Sequence, residues 1–230
     1  MLATKLIVID GLSGSGKTTT AEWLTHQLKR RGIKNRYLPE YNTAHPLWWY
    51  EYWDGRDYLT PDFDNIPIER FIENSLARWS TFAESIDESI GLVLAESVFF
   101  QDAVAMFLMG DATPARLFAY AREVQQIAQG LNPVLIYFRQ NDVAHALRRI
   151  CTIRGADFEQ ELLTNMERFP YMKHRNLKGL DGLTVLWEDI HKLTDTIFEE
   201  YEILKLAIKT SGENWPKYQE QILEFLQLSP

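Results

Sequence analysis

The chain has one cysteine, Cys151, in 230 residues, which excludes an internal disulfide and a cysteine-built metal cluster. Cys151 reads as a small residue on a helix. No apolar run reaches membrane-spanning length, and no secretion signal precedes the run TKLIVIDGLSGSGKT, so the expectation is a soluble cytoplasmic protein with no membrane partner. An excess of positive charge is lacking too. The 24 Lys and Arg against 32 Asp and Glu give a formal net charge of −8, which argues against a broad surface for a nucleic-acid polymer. An anionic ligand must therefore meet a local concentration of cations. The five histidines show no metal spacing such as H-E-x-x-H, and no local motif suggests a Ser-His-Asp arrangement, so a hydrolase has nothing to rest on. Repeats, low-complexity stretches and long polar linkers are also missing.

What is present is an alternation of short apolar runs with amphipathic segments, the mark of an α/β fold with a mainly parallel sheet. Candidate strands are LIVID (6–10), NRYLPE (35–40), GLVLAES (91–97), PVLIYFR (133–139) and LTVLW (183–187), and three of them are nearly all apolar, as strands buried on both faces are. The three-and-four spacing of Ala21, Leu24 and Leu28 predicts a helix from Lys17 to Arg31, and that of Phe71, Ile72, Leu76, Trp79, Phe82, Ala83 and Ile86 one from Ile68 to Ile90. Further helices are expected at about 98–109, 114–129, 142–153, 157–167 and 190–210. The segment Asn42 to Pro67, rich in aromatics and Asp, reads as a short helix plus a long loop of the kind that binds ligands.

The most specific signal is Gly11-Leu12-Ser13-Gly14-Ser15-Gly16-Lys17-Thr18, which matches G-x-x-x-x-G-K-[ST] between an apolar strand and an amphipathic helix. Glycines let the backbone wrap a triphosphate with its N–H groups inward, and the helix beginning near Gly16 adds its positive end. Gly11, Ser13, Gly14, Ser15, Gly16, Lys17, Thr18 and Thr19 are thus the candidate ATP-binding residues. Lys17 supplies a cation to the outer phosphates, and the Thr18 hydroxyl is placed for Mg²⁺.

This loop, the mid-chain strand ending in Glu-Ser, and the run IYFRQNDVAHALRRICTIRG together resemble the deoxynucleoside kinase and thymidylate kinase group of P-loop kinases. The resemblance is best at residues 5–32 and 133–155 and runs more weakly to about 205. It implies the P-loop NTPase fold: a five-stranded parallel sheet with helices on both faces and an arginine-bearing lid. It also implies a magnesium–ATP donor site and an acceptor pocket across the carboxyl ends of the strands. The expected organisation is a kinase domain at 1–210, with a lid at about 148–160 and an acceptor-side loop at about 42–67, then a helical extension at 211–230. Arg148, Arg149 and Arg154 occupy the lid stretch, where a planar, permanently charged fork suits the transferring phosphoryl group. The family's Arg-Gly-Arg is here Arg154-Gly155-Ala156. The resemblance gives Glu96 the role of holding Mg²⁺, directly or through water, or of positioning the acceptor. It makes Glu40 the carboxylate that orients and deprotonates the acceptor hydroxyl. Two departures stand out: Ser97 replaces an arginine, and Tyr41 replaces a proline. The first puts the acceptor class in doubt.

For the acceptor, Trp48 and its aromatic neighbours through Trp53 either stack a planar ligand or form core or a dimer surface. Arg70, Asn74 and Arg78 form a polar stripe on the following helix, and Gln101 is a plausible acceptor hydrogen bonder. Trp187-Glu188-Asp189 is expected beside the donor adenine. The leading expectation is transfer of the γ-phosphoryl of ATP to a nucleoside or nucleoside monophosphate, in a protein able to form a homodimer. A kinase for a non-nucleotide hydroxyl (an antibiotic, sugar or coenzyme precursor) and a nucleotide-dependent binding module without an acceptor remain as alternatives.

Overall fold

A computed structural model of the chain describes residues 3–40, 45–48, 61–87, 90–210 and 214–228. The aromatic stretch 49–53 expected over the acceptor lies outside the described residues, apart from Trp48 just before it. Five strands, β1 (Leu6–Gly11), β2 (Asn35–Leu38), β3 (Leu92–Glu96), β4 (Val134–Arg139) and β5 (Leu204–Lys209), form one parallel sheet in the order β2-β3-β1-β4-β5. β1 is central, pairing Ile9 with Glu96 of β3 and Gly11 with Phe138 of β4. Every residue of β1 and β3 is buried, so neither sheet face there meets water.

Alternate side chains feed two separate cores. Ile7, Ile9, Leu92, Leu94, Ile136 and Phe138 pack with Ala21, Leu24 and Leu28 of helix α1 (Lys17–Arg30) and with Tyr218 and Ile222 of α9 (Trp215–Phe225). Helix α9 is thus seated on the sheet beside α1. Leu6, Val8, Val93, Ala95, Leu135 and Tyr137 point the other way, into the larger core. That core is filled by α2 (Ile68–Ser85), a π-helical turn Phe100–Ala105 running into α3 (Met106–Met109), α4 (Pro114–Ala128), α5 (Val143–Arg154) and α8 (Gly179–Glu200). Two further helices, α6 (Ala156–Met166) and α7 (Pro170–His174), follow α5. The chain leaves β1 for one face and β3 for the other, so their carboxyl ends part and open a crevice.

The fifth strand is not where its apolar run suggested. Residues 183–187 lie inside α8, whose buried Leu183, Leu186, Trp187, Ile190, Leu193, Ile197 and Phe198 follow the helical period. The true β5, LKLAIK, is half lysine and alanine because it is a sheet edge. Lys205 on it donates to the carbonyls of Phe198, Glu199 and Tyr201 at 2.6, 2.8 and 2.7 Å, closing the carboxyl end of α8. Trp187-Glu188-Asp189 is therefore helix, and no adenine-facing loop.

Candidate phosphoryl-transfer site

Helix α1 begins at Lys17 on a left-handed Gly16 (φ 95°), with no side-chain cap and no acidic residue in its first turn. The first N–H groups of a helix lack intrahelical acceptors, so this end is left ready for an anion. A Cβ on Gly16 would stand 2.2 Å from the Trp215 ring, and one on Gly14 (φ 76°) 2.4 Å from Ile150. Side chains from α5 and α9 thus press directly on the loop. Gly16→Ala adds a left-handed penalty of about 1–2 kcal/mol to the phosphate-cradling shape, so triphosphate affinity is expected to fall roughly five- to thirtyfold. Calorimetric titration with magnesium and a non-hydrolysable triphosphate measures this; wild-type affinity would refute it.

Lys17 is only 4% exposed. Its ammonium donates to the Leu12 carbonyl at 3.2 Å and to Gln101 Oε1 at 2.6 Å. Gln101 Nε2 in turn donates to Glu40 Oε1 at 2.7 Å, and the Ser97 hydroxyl donates to Glu40 Oε2 at 2.8 Å. Ser97 holds a strained left-handed backbone (φ 67°), which its N–H bond to the Ile9 carbonyl at 2.9 Å helps to fix. The serine that stands in place of an arginine thus anchors Glu40. Glu96 faces away from this chain: its Oε1 accepts from Tyr37 Oη at 2.8 Å and from the Glu40 N–H at 3.0 Å, while its buried Oε2 has no partner among the described residues. Burial and Glu96 together push the Tyr37 phenol far up.

Two carboxylates absent from the sequence expectations complete the site. Asp10, next to last in β1, is fully buried and accepts the N–H groups of Gly11, Phe99, Phe100 and Gln101 at 2.8, 2.9, 2.8 and 3.3 Å. It thereby caps the π-helical turn that carries Gln101. Burial pushes its pKa up to about 6, against the opposing pull of those N–H groups and Lys17. Asp102 is held well above the usual carboxylate range by burial first and then by Glu40, Asp10 and Glu96. The signal for Asp10 was its charge at the end of an apolar strand; Asp102 had none.

Two cavities meet at the loop. One, of about 390 Å³, runs from Ser13, Gly14 and Ser15 past Arg149 and Arg154 to Thr210 and Trp215. The other, of about 220 Å³, is largely apolar: Trp48, Phe100, Met106, Tyr137, Phe158 and Trp187 wall it, with Glu40, Gln101 and Asp102 among its polar groups. Arg154 lines both cavities and lies over the Phe158 ring at 4.8 Å. Arg148 lines neither cavity. Thr18 and Thr19 are exposed on the first turn of α1. Arg70 is exposed and Arg78 half-buried, and neither lines the apolar cavity; the face of α2 nearest this region presents Ser75, which shares a smaller pocket with Glu40 and Asp102. In that pocket His45, its pKa lowered to about 4 by burial and by Arg36, keeps a buried Nε2 with no described partner.

The sequence matches no protein-family model and no curated protein at a significant level. Among solved structures, a thymidylate kinase from Ehrlichia chaffeensis aligns over 98% of this chain and 100% of its own at TM-score 0.52 and 11% identity. The YorR protein of Bacillus subtilis, described in complex with phosphorylated GDP, aligns over 97% and 96% at TM-score 0.49 and 13% identity. The likeness to the thymidylate kinase shows the fold alone, and it is the P-loop NTPase fold expected from the sequence.

Proposed function

We propose that the protein is a phosphotransferase that moves the γ-phosphoryl of ATP to a small acceptor, a nucleoside or nucleoside monophosphate. The observation that carries this reading is the convergence of Lys17, at the phosphate loop, and Glu40, at the apolar cavity, on the single side chain of Gln101. Phosphoryl transfer needs little covalent chemistry from a protein beyond positioning and charge. Loop N–H groups and Lys17 hold the donor, and Arg149 and Arg154 approach from α5 to offset charge spread over the transferring oxygens. The flat aromatic walls suit a planar base, and Glu40 takes the acceptor's hydroxyl proton or orients that hydroxyl.

Magnesium of the kind that accompanies a triphosphate keeps several waters and needs one or two protein ligands. The exposed Thr18 hydroxyl and the orphaned Glu96 Oε2 fit that demand, the latter through water. No cluster of three or more His, Cys, Asp or Glu able to hold a metal occurs among the described residues, which agrees with an ion that arrives on its phosphates. Such an ion, when bound, would supply positive charge that offsets the charge of the triphosphate.

Arg154 is the one cation among the described residues that line the apolar cavity, which the acidic Glu40 also lines. That balance favours an uncharged hydroxyl acceptor over a monophosphate, and it also supports the second reading, a non-nucleotide alcohol. A panel of nucleosides, monophosphates and aminoglycoside-like alcohols assayed by ADP release separates them. With the accepted substrate, Glu40→Gln is expected to lower kcat by about 10²–10⁴-fold, the usual contribution of a positioned base. Unchanged turnover in Glu40→Gln would remove Glu40 from the chemistry, and no turnover on any acceptor would favour a nucleotide-dependent binding module.

A further inference from the structure

The contacts of Gln101 have a chemical polarity. An ammonium only donates and an ionised carboxylate only accepts, so a side chain bridging the two must offer an acceptor at one end and a donor at the other. A glutamine amide does this, with Oε1 on Lys17 and Nε2 on Glu40, and the two ions fix its orientation. A glutamate would set two carboxylates against each other; an apolar residue would leave Lys17 and Glu40 each short of a partner. The amide rides on the π-helical turn whose N–H groups are pinned to Asp10, so its backbone cannot drift when the side chain moves. Lys17 spends two of its three donors on Leu12 and Gln101, and a triphosphate pulls the ammonium toward its charged oxygens, which bind it more strongly than a neutral amide oxygen does. Glu40 accepts from Gln101 on Oε1 and from Ser97 on Oε2, so an acceptor hydroxyl must share the carboxylate's charge with both donors.

We propose that Gln101 is a positioning residue that couples the two substrates, keeping Glu40 Oε1 occupied while the donor site is empty and giving it up when a triphosphate draws Lys17 away. This rests on the phosphotransferase reading and goes beyond it, since it makes the two binding events cooperative. With no donor, an acceptor hydroxyl competes with Gln101 Nε2 for Glu40. With the donor bound, Gln101 Oε1 has lost its ammonium, the amide is tethered at one end only, and its rotation frees the carboxylate oxygen. By linkage, acceptor binding strengthens donor binding by the same factor.

The first measurement needs no acceptor. Hydrogen exchange of the Gln101 side-chain amide is followed by NMR in the full chain, with and without magnesium and a non-hydrolysable ATP analogue. Exchange is expected to accelerate about tenfold when the analogue saturates the loop, the scale of ordinary coupling energies. If the analogue binds and exchange does not change, Gln101 is a static pin and the coupling is overturned while the phosphotransferase reading stands. If the analogue does not bind at all, both fall. With an accepted substrate, wild-type acceptor KM should fall about tenfold as donor rises from trace to saturating, whereas in Gln101→Met it should stay constant. A merely structural role for Gln101 would lower stability or kcat in Gln101→Met and leave the donor dependence of KM intact.

Discussion

Lys17→Ala is expected to lower phosphoryl transfer by about 10³-fold, the loss seen when a preorganised donor to developing charge is removed from a dry site. The size follows from where Lys17 sits. It is nearly sealed from solvent, so its attraction for a phosphoryl group is weakly screened, and Asp10 and Asp102 both feel its charge. Alanine therefore also leaves those buried carboxyl groups without the cation that eases their ionisation, which moves their pKa values up further. Lys17→Arg keeps the charge, but its wider planar fork does not fit a 4% exposed slot built round the Leu12 carbonyl and Gln101, and little rescue is expected. Single-turnover ADP release, with denaturant unfolding as a control for folding, measures both variants. Wild-type transfer by Lys17→Ala would overturn the role assigned to the loop.

The largest expected stability effect belongs to Asp10. Asp10→Ala leaves the N–H groups of Gly11, Phe99, Phe100 and Gln101 without their acceptor. Removing the charged hub of a buried network costs about 3–5 kcal/mol, which outweighs the relief of no longer burying a carboxylate. For a chain of this size that is a fall in Tm of roughly 6–20 °C. Asp10→Asn should cost less, since its carbonyl still accepts from Phe99 and Phe100. The pH dependence has a definite sign. Because the folded pKa is raised from 3.8 to about 6, the folded state holds a proton that the unfolded chain has released between those values. Its contribution to stability is full below pH 3.8 and is lost as pH rises through 6. Denaturant midpoints between pH 4 and 7 should show this slope in wild type and a flatter one in Asp10→Asn; parallel curves would rule Asp10 out as the titrating group.

The parts of the fold that the sequence made legible are those where local chemistry and tertiary demand agree. The loop 11–18 is one such part, because glycine conformation, lysine charge and strand–helix context all point to it. The strands β1, β3 and β4 are another, since burial on both faces leaves no polar alternation to confuse. Where edge and core exchange their usual composition the reading failed: LTVLW is β-branched and apolar but packs as a helix, while β5 carries two lysines because one side of it is open. The site was half legible. Lys17, Glu40 and Gln101 were each named singly, yet their union is made by a turn after β3 that folds back onto Asp10, a contact between residues far apart in sequence. Arg70 and Arg78 were drawn from helical spacing and from the resemblance, in which this helix faces the acceptor; neither lines the apolar cavity.

The sheet order has a consequence for how the chain comes to be. β1 precedes both of its partners in the chain, four of its six residues (Leu6, Ile7, Val8 and Ile9) are apolar, and it pairs with Val93 onwards in β3 and Val134 onwards in β4. During synthesis it must wait for both before either of its edges is satisfied. Non-local pairings of this sort close slowly and expose strand edges meanwhile. The strand that places the phosphate loop is thus also the segment most in need of protection on the ribosome, and helix α1, which covers one of its faces from the adjacent sequence, is the shelter available earliest.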